Sequence, residues 1–466
     1  MLVRLVNGSA GGNRSHEITG ETMLKRERAK EIFKKVLKYS TADETEAFIT
    51  SAAYSLTRFA NNCIHQNVAE EGLNLSVRAV VNQRTARAST NKLDENSIRQ
   101  VCEAALALAR LQPADPDLLP MPGPQLYRAV DRYDTESAEL SPQARAETVR
   151  AAIERAGKDS LTAAGVYSNG TFVTGLFNSR GLEAFHEETS SEFSITMLKE
   201  GSSGWAKKTS PSCMELEPEA LADRAARKAL ESEYPQDIAP GKYTVILEPA
   251  AVLDLLGFLF FDFGGLSVEE RRSCLTGRVG EKLFGENINI RDDVFHPLQA
   301  GAPFDGEGIP RQRVKLVEKG KATNLVYARA TARKMGKTAT GHGFQLPNEY
   351  GEAPMNIVME GGKKTVEDMV KSTSRGLLVT RLWYIREVDP YQKILTGMTR
   401  DGTFWIEDGE VKYGVKNLRF NQSLFDMLSR VEAMGAAQRT AGEESFEMVV
   451  PAMKVNEFNF SSATRY

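Results

Sequence analysis

Five histidines, His16, His65, His186, His296 and His342, are the whole imidazole supply of this chain, and no two lie four residues apart. No helix face can therefore present a pair of them to a metal. His186-Glu187-Glu188-Thr189-Ser190 begins like a zinc-protease motif but carries serine where the second ligand belongs. It also sits in a strand-like stretch, so a surface His-Glu pair is the simpler reading. Gly336-Lys337-Thr338 ends like a phosphate loop, yet Thr331 stands where the first glycine is required, and helical residues precede it. Gly201-Ser202-Ser203-Gly204 is one residue short of a nucleophile elbow. The segment Phe304-Asp305-Gly306-Glu307-Gly308-Ile309-Pro310 is the most unusual. Two carboxylates between glycines suit a hard cation or a backbone amine, and suit equally a demanding turn with solvated acids. Arg311 to Lys337 carries nine lysines and arginines against Glu318 alone. That could face a phosphate backbone or a peptide carboxylate, but the net charge favours a solvated surface balanced elsewhere.

The elements that must position these residues can be read from periodicity. Ala29, Ile32, Phe33, Val36 and Leu37 share one face of a helix over Leu24 to Tyr39. Ala47 to Phe59 is expected as a strand with Phe48, Ala52, Tyr54 and Leu56 on one face. Leu73 to Val81 alternates apolar residues with Asn74, Ser76 and Arg78, as in a half-buried strand. Asp94 and Ser141 are expected helix N-caps, the second followed by Pro142. The prolines between Pro113 and Pro124 form a stiff connector. Asn169-Gly170 predicts a hairpin turn, Asn178-Ser179-Arg180-Gly181 another, and Pro218 a helix start. Tyr243 to Leu247 is a buried strand, and Pro249 opens an apolar helix to about Phe263. Lys319-Gly320, Asp401-Gly402 and Asp408-Gly409 predict hairpins in an antiparallel meander. Asn421 is expected to cap a helix to Met434, and Phe446 to Phe460 to form a closing strand.

The expected class is α+β in two domains: a loose tail over 1–22, a mixed helix/strand domain over 23–238, and a strand-rich domain over 239–466 with an antiparallel meander or barrel-like sheet. With 41% hydrophobic and 26% charged residues, the 466-residue chain reads as soluble and globular. A net charge of −3 gives no global attraction to nucleic acid or an anionic membrane. The longest apolar run, Ala250 to Phe261, is interrupted by Asp254 and too short to cross a bilayer. The first residues lack a signal-peptide pattern. Cys63, Cys102, Cys213 and Cys274 contain no C-x-x-C pair, and free thiols in a reducing cytoplasm account for them most simply.

Taken in order, Arg58-Phe59-Ala60-Asn61-Asn62, Asn178-Ser179-Arg180-Gly181, Gly277-Arg278-Val279-Gly280-Glu281 and Phe304-Asp305-Gly306-Glu307-Gly308 form a pattern. It continues through Thr340-Gly341-His342-Gly343, Ser374-Arg375-Gly376-Leu377, Thr396-Gly397 and Ile406-Glu407-Asp408-Gly409-Glu410. This series, spread over nearly the whole chain, resembles the TldD/PmbA family, once labelled modulators of DNA gyrase and regarded as metallopeptidases. The resemblance implies a catalytic branch with an H-E-x-x-x-H helix and a late cysteine holding zinc. Here the corresponding stretch, Leu256 to Asp262, has neither histidine nor glutamate, and no cysteine follows Cys274.

The resemblance therefore implies the PmbA (TldE)-like branch: a cytoplasmic subunit without metal or catalytic residues of its own. Zinc is expected in a TldD-like partner, joined as a heterodimer, with self-association as a homodimer the alternative. Extended peptide is the expected substrate. Asp305, Glu307, Thr340 and Gly341 are the positions expected to touch substrate or partner. Two rival readings are an autonomous hydrolase whose dispersed His186, His296, His342, Asp305 and Glu307 converge, and a regulatory protein binding gyrase or nucleic acid.

Overall fold

The computed structural model describes residues 24–464; the tail expected over 1–22, with His16, lies outside them. Strand outweighs helix, 40% to 24%, and the two are segregated rather than alternating, which places the chain in the α+β class.

The first sheet is antiparallel throughout. Its strands are β1 (Glu44–Ala60), β2 (Cys63–Val81), β3 (Arg84–Thr90), β4 (Thr162–Asn178), β5 (Glu183–Lys199) and β6 (Ser202–Ser210), in the order β3-β2-β1-β4-β5-β6. Helices Arg26–Tyr39 and Glu95–Leu111 cover one end of one face, burying Ala47, Ile49, Val77 and Phe177. Helices Pro142–Lys158 and Pro218–Glu231 cover the other end, over Phe59, Phe193 and Ile195. Both expected caps form: Asp94 accepts from the Ser97 N–H and Ser141 from the Ala144 N–H.

Three local expectations change here. In β1 the buried apolar residues are Ala47, Ile49 and Phe59, one residue out of step with the expected face. Phe48 instead packs against the cluster of Leu176, Leu182 and Phe304 on the sheet's other side. Ser76 and Arg78 are buried as well, because the second half of the chain covers that side. Asn169-Gly170 is no turn, since β4 runs straight through it. The Asn169 amide is needed inside: its Oδ1 accepts from Arg145 Nη1 at 2.7 Å and its Nδ2 donates to Ser137 O at 2.7 Å. Arg145 is 1% exposed, so an acceptor for its guanidinium outweighs the local turn preference.

The second half begins with β7 (Gly241–Leu247), β8 (Ile290–Asp292), β9 (Val314–Glu318), β10 (Lys321–Ala322) and β11 (Ile357–Met359). It continues with β12 (Arg375–Asp389), β13 (Ile394–Glu407), β14 (Glu410–Gly414) and β15 (Leu418–Ser423). Last come β16 (Val431–Met434), β17 (Gln438–Thr440), β18 (Met448–Val450) and β19 (Met453–Ala463). Strands β12-β7-β19-β15-β13 close into a five-stranded barrel through the β12–β13 pairing. The other sheet runs β10-β9-β8-β11-β18-β17. One apolar core joins the two through helix Pro249–Leu256, whose Leu253, Leu255 and Leu256 are fully buried. No helix among the described residues is long and apolar enough to cross a membrane.

The apolar helix ends at Leu256 rather than near Phe263, and a short 3-10 turn, Phe260–Phe263, follows it. Lys319-Gly320 and Asp408-Gly409 reverse the chain as expected. Asp401-Gly402 does not, although both residues have positive φ, 52° and 119°. They sit inside β13, where its register with β12 shifts, and Asp401 faces Arg381. Asn421 lies within β15; the helix is only Leu424–Ser429, and Val431–Met434 is a strand. The expected closing strand is divided between β18 and β19.

Candidate functional site

The glycine-flanked acids lie where the second half meets the first sheet, and both are buried: Asp305 is 3% exposed and Glu307 4%. Asp305 organises its own loop. Its Oδ1 accepts from the N–H groups of Glu307 and Ile309, each at 2.9 Å, and its Oδ2 from the Gly343 N–H at 2.7 Å. Burial pushes this carboxyl up, while those N–H groups and Arg311 pull it back. Glu307 accepts from the Arg329 N–H at 3.0 Å and lies 3.8 Å from the Arg329 guanidinium. Gly343 allows this closeness, because a Cβ there would stand 2.6 Å from Glu307 Oε1. The first half adds Tyr127, whose hydroxyl donates to Gly308 O at 2.7 Å, and Arg78, paired with Glu46 at 3.1 Å.

Thr340 and Gly341 form the neighbouring strap. Thr340 Oγ1 accepts from the Tyr327 N–H at 2.8 Å and is 2.9 Å from His342 Nδ1. His342 Nε2 is 3.0 Å from Asp292 Oδ1, a close contact without hydrogen-bond alignment. Burial alone would raise the Asp292 carboxyl, but His342 and Arg311 outweigh it and hold the group low. Gly341 has φ +73° and lies against the backbone of Pro310. The structure thus joins Asp305, Glu307, Thr340 and Gly341 in one cluster whose polar atoms bind the chain's own loops. Asp292, Arg329, Tyr127 and Arg78 belong to it too. Nothing in the local sequence marks Asp292 or Tyr127, while Arg329 stands out only as part of the basic stretch and Arg78 only as a polar position of an alternating strand.

The other dispersed residues do not converge. His65 is exposed on β2. His186 is buried in β5, with Nε2 3.6 Å from Glu188 Oε2, and His296 lies on a separate loop. Among the described residues no group of three or more His, Cys, Asp or Glu is placed to hold a metal ion. At Leu256 to Asp262, Leu259 and Phe260 point into the core, and Asp262 is the one potential donor. That carboxylate is already occupied, accepting from the Cys274 N–H at 2.8 Å and standing 2.6 Å from Lys393 Nζ. The residues present do not fit a zinc ion there. In the basic stretch, Arg313 pairs with Asp293, Lys315 with Glu318, Arg333 with Asp117 and Lys334 with Glu269.

The Glu307 carboxyl is pushed up to about 7, first by burial and then by the charge of Asp305. An acid that protonates more readily in the fold than in the open chain stabilises the fold most at low pH. That contribution is present below its ordinary value of 4.5 and is lost as pH rises through about 7. Glu307→Gln keeps an acceptor for the Arg329 N–H and removes the titration. The stability difference between about pH 5 and pH 8, from urea midpoints, should shrink by about 2–3 kcal/mol. Asp254, raised to about 7 by burial, keeps the remaining slope in the same direction.

Comparison with known proteins agrees across nearly the whole described chain. Family profiles described as PmbA/TldA metallopeptidase domain 1, central domain and C-terminal domain match residues 45–109, 135–233 and 240–462. The chain is 26% identical over 400 residues to Metalloprotease PmbA of Escherichia coli O157:H7, covering 82% of this chain and 85% of that protein. It is 25% identical to the Metalloprotease PmbA homolog of Haemophilus influenzae, over 77% and 80% of the two chains. Its fold is similar to TldE from Thermococcus kodakarensis, with TM-score 0.85 and 23% identity over 93% of this chain and 99% of that one. It is also similar to a putative modulator of a DNA gyrase from Thermotoga maritima, with TM-score 0.83 and 21% identity over 93% and 100%.

Proposed function

The chain belongs to the PmbA/TldA metallopeptidase family, and from that premise we propose that it is the non-catalytic, PmbA (TldE)-like subunit of a cytoplasmic zinc-dependent peptidase. One observation carries the reading: in the segment Leu256 to Asp262 the side chains of Leu256, Leu259 and Phe260 are buried in the core, none of the others is an imidazole or thiol, and its single acid is held by Lys393 and the Cys274 N–H. Without imidazole or thiolate, that segment cannot hold the Lewis acid or generate the hydroxide that the family's zinc helix supplies. Both functions then fall to a TldD-like partner that carries the zinc.

The role left to this subunit is architectural: it closes the chamber and offers backbone to an extended peptide, which gives affinity with little side-chain selectivity. Asp305, Glu307, Thr340 and Gly341 serve peptide and partner indirectly, by fixing the loops that face them. The test is to copurify the chain with a TldD-like protein carrying H-E-x-x-x-H and to assay peptide cleavage. Stable association, with cleavage requiring both chains, is expected, and the isolated chain should retain no stoichiometric zinc after dialysis. Failure to associate, together with a zinc chain indifferent to this one, would overturn the assignment.

A further inference from the structure

Where the helix stops at Gly257 the surface opens into a cleft of about 370 Å³. Phe258, Phe261 and Pro390 wall it, and Asp262, Glu387 and Glu444 bring three carboxylates to its lining around Lys393. The Lys393 ammonium has no capacity left. It lies 2.6 Å from both Asp262 Oδ2 and Glu387 Oε1 and donates to Phe258 O at 3.2 Å. The other cation at the rim, Arg272, is drawn aside by Glu270 at 2.5 Å. Glu444 has the backbone N–H of Tyr384 at 2.8 Å and only a distant guanidinium, Arg386 at 3.8 Å.

The cleft therefore holds surplus negative charge beside exposed rings. Phe261 is 45% exposed, and Tyr391, next to the lining residue Pro390, is 53% exposed, whereas the Tyr384 ring already carries the Arg386 guanidinium at 4.4 Å. Carboxylate together with an open aromatic face is the chemistry that receives an alkylammonium group.

We propose that this cleft binds a primary ammonium group of an extended peptide, either a lysine side chain or a free amino terminus. The inference rests on the peptide-handling role above and adds a substrate preference to it.

Isothermal titration of the full chain at low salt with three short alanine-rich peptides tests this. One is acetylated with a central lysine, one has a free amino terminus and no lysine, and one has both features blocked. At least one cationic peptide should bind about tenfold more tightly than the blocked one, and the one that does identifies the source of the ammonium. Glu387→Gln should weaken that binding about fivefold. Phe261→Ala, at an exposed position where folding is not at stake, should weaken it as well. Equal binding of the blocked peptide, no binding of either cationic peptide at millimolar concentration, or indifference to both substitutions would overturn the proposal. Because the chain is titrated alone, failure to pair with a zinc subunit would not alter this result, nor this result that one.

Discussion

Asp305→Ala is expected to cost about 3–6 kcal/mol of stability, the larger part of what many domains possess. Three backbone N–H groups, those of Glu307, Ile309 and Gly343, lose their acceptor together where water has little access. Each buried donor left without a partner costs about 1–3 kcal/mol. Asp305→Asn makes the comparison. Its Oδ1 can still serve Glu307 and Ile309, while its Nδ2 turns a donor toward the Gly343 N–H. Thermal melting should therefore rank the chains parent, Asn, Ala. An alanine variant that melts with the parent would mean that these bonds do not hold the loop.

Gly341→Ala should be nearly as damaging, at about 3 kcal/mol or more. An added Cβ would stand 2.2 Å from Pro310 O and 2.7 Å from Arg311 Cα, and backbone atoms cannot swing aside as a side-chain tip can. Gly336 supplies the control. It also has positive φ, +63°, but nothing lies within 4 Å of its added Cβ. Gly336→Ala should cost only the left-handed conformation, about 1–2 kcal/mol. Denaturant midpoints of the two variants separate crowding from conformation, and equal losses would show that crowding at residue 341 contributes nothing.

Local grammar was legible because its partners are local. Asp94 and Ser141 could be assigned as caps since each side chain meets an N–H three residues away. The same grammar misled at Asn169-Gly170, where Arg145, from another element, requires the asparagine inside the sheet. At Asp401-Gly402 it gave the correct backbone hand but not a reversal, because positive φ serves a bulge as well as a turn. Arg78 looked solvent-facing because alternation within β2 cannot reveal a second layer arriving from two hundred residues further on. In the site, glycine spacing singled out Asp305 and Glu307, while Asp292 and Arg329 become visible only when their loops meet. The order of short segments revealed the family, which no single segment could do.

The closed barrel of the second half has a consequence for how the protein is made. Its first strand, β7, finds one flank only when β19 arrives, after every other strand of the ring has been synthesised. Until then the ribosome-bound chain carries an open ring with bare edges and apolar faces, the kind of intermediate that attracts chaperones and aggregates when they are scarce. Pairing so distant in sequence also makes closure slow.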